Sequence, residues 1–486
     1  MRVCPLPLAD NGAFYDSTNN HSGFSNHQEA ILALKQRWTQ QRIPFRYVQM
    51  DDWQWIDPKQ AGSNVDMPGI VHWPPDPAAI PAGLTDWLGM PTSQYCPMYS
   101  AENDYITDRE RYNYTWAVDV DATVGPTAIP LDVQFYRDAF ANGSHAQMRM
   151  FEQDFLCTYA ASTNLTKGDV TTGMTWLHAI DTAAVEANVT VQLCMMCPAH
   201  ALASTELRAV TNGRGTSDND HSSQADLYPL GHSGLLMGAV GMWPSRDNVF
   251  TTANEPNCPK GTQRPVVTNC TYPDYRLESV AALLAGGPYG PSDGIDDLNR
   301  GQIVRACRSD GVLLRADQPL ATLDAALCVH HCPCHLTCPP ATTWLISPPI
   351  HIHIHISLTL APPCLSIERR TLAFDSPRGR GLLLWGTYSQ IGALRWSYLL
   401  SVSTPTDNTL HLRDLDTTPA LAYILRDVWA DANGAGANGA LRRIPQGGSF
   451  RVPQSPPAPI PGHSDGGTYQ ILAPVLPSGA IRSLVS

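Results

Sequence analysis

The feature that most restricts the fold of this chain is a repeated alternation of short apolar segments, polar turns and amphipathic segments over about the first 300 residues. In one repeat, the amphipathic segment 25–42 precedes the β-rich segment 45–50, which ends at Asp51. Ser25 and Gln28 have the spacing of a capping box, so we expect that helix to begin at Ser25. About eight repeats of this kind are typical of parallel βα units.

The same pattern predicts further helices and strands. The expected helices cover residues 131–147, 171–187, 235–239 and 276–284. The expected strands cover residues 148–151, 189–195 and 208–212. Both a (β/α)8 barrel and an open doubly wound sheet contain such units, but the length and the gathering of Asp, Asn, Ser and Trp just after the strands favour the barrel. The chain has no GxGxxG or GxxxxGK[ST] motif that would indicate a dinucleotide or a nucleoside triphosphate.

The sequence changes character after Arg369, where short alternating segments are separated by turns rich in Gly, Pro and Asp. Segments such as GLLLWGTYS and RWSYLLSVS predict the strands of a small antiparallel β domain. We therefore expect an α/β chain in which a (β/α)8 TIM barrel covers residues 1–324 and a β-sandwich-like domain covers residues 368–486.

Residues 325–367 lie between these two domains and contain no Asp, Glu, Lys or Arg. They hold five of the 13 cysteines and the repeat HIHIHI at residues 351–356. The His and Cys residues near Cys332 are of types that bind zinc, but no CxxC pair is present. A total lack of charge and a dipeptide repeat are typical of translated non-coding sequence. We therefore expect this insertion to lie outside the fold, as a retained intron or a gene-model error.

The charge of the chain restricts its partners. Lys and Arg total 32 against 44 Asp and Glu, which gives a formal net charge of −12. Such a surface repels phosphate backbones, so nucleic acid is not an expected partner. No apolar run approaches the roughly 18 residues that span a bilayer, so a membrane is not expected either.

Three acidic clusters end predicted strands. They are Asp51 with Asp52 and Trp53, Glu152 with Asp154, and Asp218 with Asp220. Carboxylates accept hydrogen bonds from sugar hydroxyls, aromatic faces cover apolar sugar faces, and two carboxyls can act as nucleophile and general acid/base. The alternative is that each acid only caps the helix that follows. Three clusters together favour a carbohydrate site at the mouth of the barrel.

Several motifs follow one another along the chain. They are DNGAFY (10–15), FRYVQMDDW (45–53), MFEQDFL (150–156), VQLCMMCPAH (191–200), GRGTSDNDH (213–221), WPSRDNVF (243–250), AGGPYGPSD (285–293) and WGTYSQIG (385–392). In this order they resemble motifs of the clan-D glycoside hydrolases, specifically the α-galactosidase and raffinose-synthase group, glycoside hydrolase family 36. The resemblance is nearest to a eukaryotic branch of that family. It covers the chain from about residue 9 to the C-terminus, apart from the uncharged insertion.

The resemblance implies a (β/α)8 barrel with a C-terminal antiparallel β domain, in which DNGAFY is the first strand. It implies that Asp154, at the end of the fourth barrel strand, is the nucleophile. Asp218, at the end of the sixth, would be the general acid/base, with Asp220 as the second candidate for that role. The reaction would be a retaining double displacement, whose two carboxyl groups lie about 5–5.5 Å apart. No metal and no cofactor is expected, because carboxylates supply the nucleophile and both proton transfers.

The resemblance also implies which residues bind the sugar. Asp51 and Asp52 would bind hydroxyl groups, with Trp53 as a wall of the site. The further binding residues are Glu152, Cys194, His200, Arg214 and Asp247. The chain departs from the family at Glu152, where the α-galactosidases have Lys, and at Ala199, where the closer branch has Arg. The exchange at Glu152 reverses a charge beside the sugar, so the substrate can differ from the galactosides.

Three functions remain open at this point. The first is hydrolysis of α-linked sugars, including α-galactosides, and the second is galactosyl transfer as in raffinose synthase. The third is carbohydrate binding without catalysis. All three have a carbohydrate as the partner, and the sequence does not predict the oligomeric state.

Several features concern the route of the chain through the cell. The Asn-x-Ser/Thr sequons at Asn20, Asn113, Asn142, Asn164, Asn188 and Asn269 favour a secretory route and a glycoprotein. The first residues, MRVCPLPLADNG, lack the apolar core of a signal peptide. The resemblance implies a longer N-terminus, and if it carries a signal peptide we expect a secreted, lysosomal or endomembrane protein. Cys258 and Cys270 are one candidate disulfide pair.

Overall fold

The part of the chain for which the fold can be described covers most of the predicted barrel. The computed structural model describes residues 23–50, 70–216, 227–257 and 268–322, apart from positions 71, 74, 272–274, 305, 314 and 317, together with the strands and one turn between residues 382 and 474. The predictions for residues 10–15, 51–53, 217–226 and 325–367 lie outside the described residues.

The described residues up to 322 form both strands and helices. The strands are β1 (Val48–Met50), β2 (Thr92–Cys96), β3 (Tyr99–Ser100), β4 (Trp116–Asp119), β5 (Thr127–Pro130), β6 (Met148–Gln153), β7 (Thr190–Leu193), β8 (Val210–Arg214), β9 (Trp243–Ser245), β10 (Asn254–Asn257), β11 (Thr268–Thr271) and β12 (Ala321–Thr322). The helices are α1 (His27–Gln40), α2 (Asp104–Thr107), α3 (Val133–Ser144), α4 (Leu156–Ser162), α5 (Asn164–Lys167), α6 (Val170–Ala187), α7 (Pro198–Ala203), α8 (Leu227–Ala239), α9 (Tyr275–Ala285) and α10 (Arg300–Val304).

Six of these strands form one parallel sheet in the order β1-β2-β6-β7-β8-β9. The segment after α9 continues in the same direction, because Val249 and Pro291 form a parallel bridge and the N–H of Gly287 donates a 3.1 Å hydrogen bond to the carbonyl of Pro244. The fold is a (β/α)8 barrel, as the sequence predicts, and these six strands are part of its parallel sheet.

The outer helices pack on the sheet through the faces that their sequence spacing predicts. Trp176, Ile180 and Ala184 lie along α6 and are all buried. The indole N–H of Trp176 donates a 2.8 Å hydrogen bond to the hydroxyl of Tyr136 in α3, so the buried polar atoms of this contact are paired. Burial of one side chain of this kind stabilises the fold by about 1.5–3 kcal/mol.

The start of α1 corrects one sequence prediction. The cap is Asn26 rather than Ser25, since the Asn26 side chain accepts a 2.9 Å hydrogen bond from the N–H of Glu29. Glu29 in turn accepts a 3.0 Å hydrogen bond from the N–H of Ser25. Gln28, the predicted partner in the capping box, accepts a hydrogen bond from the N–H of Ala82 instead. The predicted capping box was therefore wrong by one residue.

Helix α8 is longer than predicted, because only residues 235–239 have clear helical spacing and the preceding Pro and Gly residues are typical of loops. Packing overrides these preferences. A Cβ atom on Gly234 would collide with the carbonyl oxygen of Leu320, so the missing side chain lets the helix lie against the start of β12.

Among the described residues, no helix has both the length and the apolar character needed to cross a bilayer.

The strands beyond residue 381 confirm the predicted antiparallel β domain. They are β13 (Leu382–Tyr388), β14 (Trp396–Val402), β15 (Asn408–His411), β16 (Ala422–Asp427), β17 (Arg442–Pro445), β18 (Ser449–Val452) and β19 (Thr468–Pro474). One sheet has the order β12-β13-β14-β19-β16-β17, and β15 pairs with β18. Strand β12 thus joins the end of the barrel to this sheet, with Ala321 opposite Trp385.

Candidate active site

Polar side chains occur two residues apart at the carboxyl ends of adjacent barrel strands. The pairs are Glu152 and Asp154 at the end of β6, Gln192 and Cys194 at the end of β7, and Asn212 and Arg214 on β8. Alternate residues of a strand point to the same face, so each pair contributes to two successive levels of one surface. We call Gln49, Glu152, Gln192 and Asn212 the lower layer, and Asp154, Cys194, Arg214 and Asp247 the upper layer. The upper layer lies at the carboxyl ends of the strands, where barrel enzymes have their active sites.

The lower layer is a chain of side-chain hydrogen bonds. Gln49 Nε2 donates to Glu152 Oε2 at 2.6 Å, and Gln192 Nε2 donates to Glu152 Oε1 at 2.7 Å. Asn212 Nδ2 donates to Gln192 Oε1, so four strands are linked through polar side chains. Each of these four residues is buried.

The carboxyl group of Glu152 is held in an environment that disfavours its charge. The pKa of Glu152 is raised to about 8, first by burial and then by the nearby charges of Asp154 and Asp247, while hydrogen bonds from Cys194 and Gln192 oppose the increase. A carboxyl group with this pKa carries a proton at neutral pH.

Asp154 directly follows β6, and its carboxylate is oriented by two donors. The hydroxyl of Tyr95 on β2 donates to Asp154 Oδ2 at 2.7 Å, and the backbone N–H of Phe155 donates to Oδ1 at 2.6 Å. The N–H of Asp154 itself donates to the carbonyl of Cys96 at 2.9 Å, which fixes the backbone to β2. The side chain is buried, so these hydrogen bonds act in a region of low dielectric constant.

The chain turns sharply after both β6 and β7. Phe155 (φ 57°) and Met195 (φ 43°) directly follow Asp154 and Cys194, and both have left-handed backbone conformations. Such conformations cost a non-glycine residue about 1 kcal/mol or more and persist where the surroundings enforce them. In each turn, the constrained backbone therefore fixes the orientation of the side chain before it, Asp154 or Cys194.

A disulfide joins these two turns to each other. It links Cys157, in the first turn of α4, to Cys197, which directly precedes α7. The N–H of Cys157 also donates a 2.7 Å hydrogen bond to the carbonyl of Met195. The loops that carry Asp154 and Cys194 are thus connected covalently as well as by a hydrogen bond.

The upper layer contains a buried ion pair. Arg214 donates to Asp247 Oδ1 at 2.8 Å, and both side chains are less than one-tenth exposed. The same guanidinium group lies 3.6 Å from the sulfur of Cys194 and donates to the carbonyl of Thr216 at 3.0 Å. Burial, followed by the charge of Asp154, raises the pKa of the Cys194 thiol well above its usual value. Cys194 is therefore a neutral thiol in this site.

A second buried ion pair supports the loop after β9. Arg246 donates to Glu278 Oε2 at 2.9 Å and to the hydroxyl of Thr216 at 2.9 Å. Asp247 follows Arg246 directly, so this contact fixes the position from which Asp247 reaches Arg214.

His200 lies in the first turn of α7. Its Nδ1 accepts a 3.0 Å hydrogen bond from the N–H of Cys197 and so caps the helix. Burial lowers the pKa of His200 to about 4, so the imidazole is neutral at physiological pH. Because Nδ1 accepts this hydrogen bond, the proton of the neutral ring is on Nε2, and the binding role of His200 stays a prediction.

The structure brings together five residues that the sequence predicts for the site. They are Glu152, Asp154, Cys194, Arg214 and Asp247, which meet through the contacts and charges described above. The predicted residues Asp51, Asp52, Trp53, Asp218 and Asp220 lie outside the described residues. Their roles, and the roles of the five, stay predictions. In the described parts of the chain, no group of three or more His, Cys, Asp or Glu side chains is arranged to hold a metal ion.

Several residues of the site were not predicted from the sequence. Tyr95 was missed because the strand TSQYC has no apolar run. Gln49 and Gln192 precede predicted site residues by two positions, and this period-two pattern is a signal that could have identified them. The disulfide between Cys157 and Cys197 was also not predicted.

Comparison with known proteins supports the fold. No protein-family profile and no curated protein matches the chain. Two crystal structures of a family 27 β-L-arabinopyranosidase from Geobacillus stearothermophilus do match. The wild-type enzyme is 10% identical over 99% of this chain and 98% of that chain, with a TM-score of 0.58. A variant in complex with arabinose is 11% identical over 98% of each chain, with a TM-score of 0.57.

This chain has the fold of a family 27 glycoside hydrolase. Families 27 and 36 belong to the same clan, D, so the likeness agrees with the sequence resemblance at the level of the clan. It does not single out family 36. At 10–11% identity the likeness concerns the fold, and activity has to be argued from the site.

Proposed function

We propose that this protein is a retaining glycoside hydrolase in which Asp154 is the nucleophile and Asp218 is the general acid/base. The observation that carries the proposal is the carboxylate of Asp154, buried at the barrel mouth with both oxygens oriented by Tyr95 and the N–H of Phe155. A nucleophile needs a fixed direction of attack, and a side chain that only caps a helix needs no phenol from a neighbouring strand. The fold shared with a glycosidase supports the same conclusion.

In the proposed reaction, an oxygen of Asp154 forms a bond to the anomeric carbon while the bond to the leaving oxygen breaks. Protonated Asp218 transfers its proton to that oxygen and becomes ionised. Asp218 then takes a proton from water, the water oxygen bonds to the anomeric carbon, and the bond to Asp154 breaks. Tyr95 and the N–H of Phe155 stabilise the carboxylate as it departs in this second step.

The proposed substrates are α-linked glycosides of galactose configuration. The motif resemblance to family 36 suggests α-galactosides, and the structurally similar enzyme is a β-L-arabinopyranosidase. An α-D-galactopyranoside and a β-L-arabinopyranoside have the same configuration from C1 to C4 and differ by one hydroxymethyl group. One pocket can therefore accept either sugar, with Asp51, Asp52 and the pair of Arg214 and Asp247 as proposed binding groups for the hydroxyls.

We also propose that the protein follows a secretory route. The disulfide between Cys157 and Cys197 supports this proposal, because such bonds persist in oxidising compartments. The asparagines of four sequons, Asn113, Asn142, Asn164 and Asn188, have exposed side chains and are accessible to glycosylation.

A panel of aryl α- and β-glycosides, including the α-D-galactoside and the β-L-arabinopyranoside, tests the proposed activity. Wild type should hydrolyse at least one of them, and NMR should show that the first product keeps the anomeric configuration. The Asp154→Asn variant should lose at least about 1000-fold in kcat. Asp181→Asn is the matched control, since Asp181 is also buried but accepts its hydrogen bond from Ala209 N–H behind the sheet.

Each outcome of the panel has a clear meaning. No turnover by a folded sample that binds sugar would reject hydrolysis in favour of carbohydrate binding. More transfer product than hydrolysis in the presence of an acceptor sugar would favour a transferase. Inversion of configuration would exclude the proposed double displacement.

A further inference from the structure

Glu152 is a buried carboxyl group that the proposed mechanism does not use. It lies two residues before Asp154 on the same face of β6 and is 2% exposed. One of its oxygens accepts a hydrogen bond from Gln49 on β1 and the other accepts one from Gln192 on β7. The side chain therefore ties β6 to two other strands directly below Asp154.

Two carboxyl groups so placed cannot both carry charge at low cost. Residues two apart on one strand have Cα atoms about 6–7 Å apart, and an unscreened like charge at that range in a buried site is strongly unfavourable. Asp154 is nearer the mouth and accepts hydrogen bonds from Tyr95 and Phe155 N–H. Glu152 is deeper, and its carboxyl oxygens accept hydrogen bonds from the neutral amides of Gln49 and Gln192. The charge of the pair therefore resides on Asp154.

The charged and titratable groups around Glu152 agree with this assignment. The pKa of Glu152 is raised to about 8. Burial is the largest cause, and the charges of Asp154, next to the same strand, and Asp247, after β9, also raise it. The thiol of Cys194 after β7 opposes the shift through a hydrogen bond. Arg214 on β8 forms its ion pair with Asp247.

We propose that Glu152 is a positioning residue that works as an uncharged carboxylic acid. In this form it holds β1, β6 and β7 together and leaves Asp154 as the anion of the pair. The effect of Glu152 on catalysis rests on the proposed function, whereas the protonation of Glu152 can be measured whether or not that function is correct. When pH rises through about 8, Glu152 loses its proton and places a second negative charge below Asp154. The alignment of Asp154 should then decline. The stability that the neutral acid contributes should be lost as pH rises from the ordinary pKa of 4.5, which applies in the unfolded chain, to about 8.

The first test measures protonation without any substrate. Infrared difference spectra of wild type between pH 6 and pH 10 should contain a carbonyl band of a protonated carboxylic acid that disappears with a midpoint near pH 8. This component should be missing from the spectrum of Glu152→Gln, in which any band of protonated Asp218 would persist. It should be unchanged in Asp181→Asn, whose buried carboxyl group lies elsewhere. Wild-type and Glu152→Gln spectra that are identical in this region would overturn the proposal.

The second test measures positioning through activity. Glu152→Gln resembles the neutral acid in shape, and one neighbouring amide can rotate to offer its oxygen to the new NH₂ group. Its kcat at pH 6 should exceed that of Glu152→Ala, and it should lose less activity than wild type between pH 7 and pH 9. Glu152→Ala removes the acceptor of Gln49 and Gln192, so its kcat should fall at least about tenfold at every pH, with a smaller change in KM.

These measurements separate the two proposals. Equal loss of activity in Glu152→Gln and Glu152→Ala at pH 6 would show that the negative charge is needed, and would overturn the role proposed for Glu152. A wild-type protein without glycosidase activity would reject the proposed function, while the infrared band would still decide the protonation of Glu152.

Discussion

The hydroxyl of Tyr95 on β2 donates a 2.7 Å hydrogen bond to Oδ2 of Asp154, which directly follows the neighbouring strand β6. The two residues are 59 positions apart in sequence and lie on, and directly after, neighbouring strands. The hydrogen bond orients the carboxylate of Asp154. In the proposed double displacement, it supplies a donor at an oxygen where negative charge returns in the second step.

Replacement of Tyr95 by Phe tests this contact. Loss of a hydrogen bond to a charged group costs about 1.5–3 kcal/mol, so kcat should fall about ten- to a hundredfold. KM for aryl glycosides should fall as well, because the departure of Asp154 slows and the glycosyl-enzyme accumulates. Steady-state kinetics with an aryl glycoside measure both effects.

Tyr136→Phe is the matched control for Tyr95→Phe. Tyr136 is also buried, but its hydroxyl accepts a hydrogen bond from Trp176 between α3 and α6. This variant should lower the melting temperature and leave kcat unchanged. Unchanged kcat and KM in Tyr95→Phe would contradict the role given to the contact.

The disulfide between Cys157 and Cys197 should stabilise the barrel. The two cysteines are 40 residues apart, and loop closure of this length stabilises the folded state by about 4 kcal/mol in the chain-entropy account. Urea unfolding of the double variant Cys157→Ala/Cys197→Ala should show this loss, together with lower kcat, because the turn that carries Asp154 is released. Cys307→Ala, which changes a buried cysteine outside this disulfide, is the control. Equal stability of wild type and the double variant would contradict the prediction.

Glycosylation should occur at the exposed sequons when the protein is produced in a eukaryotic secretory host. Asn113, Asn142, Asn164 and Asn188 all have exposed side chains. Removal of N-glycans should lower the mass in steps, and Asn113→Gln should remove one step. Thr115→Ala, which destroys the same sequon and keeps the asparagine, should have the same effect. A secreted protein without any glycan on these four residues would refute this prediction.

Deletion of residues 325–367 should leave the protein folded. The strands on either side, β12 and β13, pair with each other directly, with Ala321 opposite Trp385 and Thr322 opposite Leu384. Residues 323–324 and 368–381 would remain to connect them. The melting temperature and kcat should match those of the full chain. Deletion of β13 is the control that should prevent folding, and the same failure in the first deletion would show that the insertion belongs to the fold.

Prediction from sequence succeeded where one physical signal dominates. The spacing of Trp176, Ile180 and Ala184 fixes the buried face of α6, and the period of apolar residues identifies β6 and β7. Asp154 was found at a strand end because the motif MFEQDFL places it there. In each case local spacing alone determines the result.

The rest depends on contacts between distant segments. Strand β2 is polar in sequence and is recognisable only from its parallel pairing with β1 and β6, so Tyr95 was missed. The partner of Cys157 is set by the proximity of two barrel turns, which local sequence does not report. Gln49 and Gln192 become part of one layer only because the barrel brings their strands around Glu152.

The most direct test of the central claim is to trap the covalent intermediate. A fluorinated glycosyl fluoride of galactose or arabinose configuration slows the second step of a retaining enzyme, so the sugar should remain bound to the protein after denaturation. Mass spectrometry of the digested protein should locate one sugar on Asp154 and none in Asp154→Asn. A sugar attached to another residue, or the absence of any adduct in a sample that hydrolyses glycosides, would contradict the account.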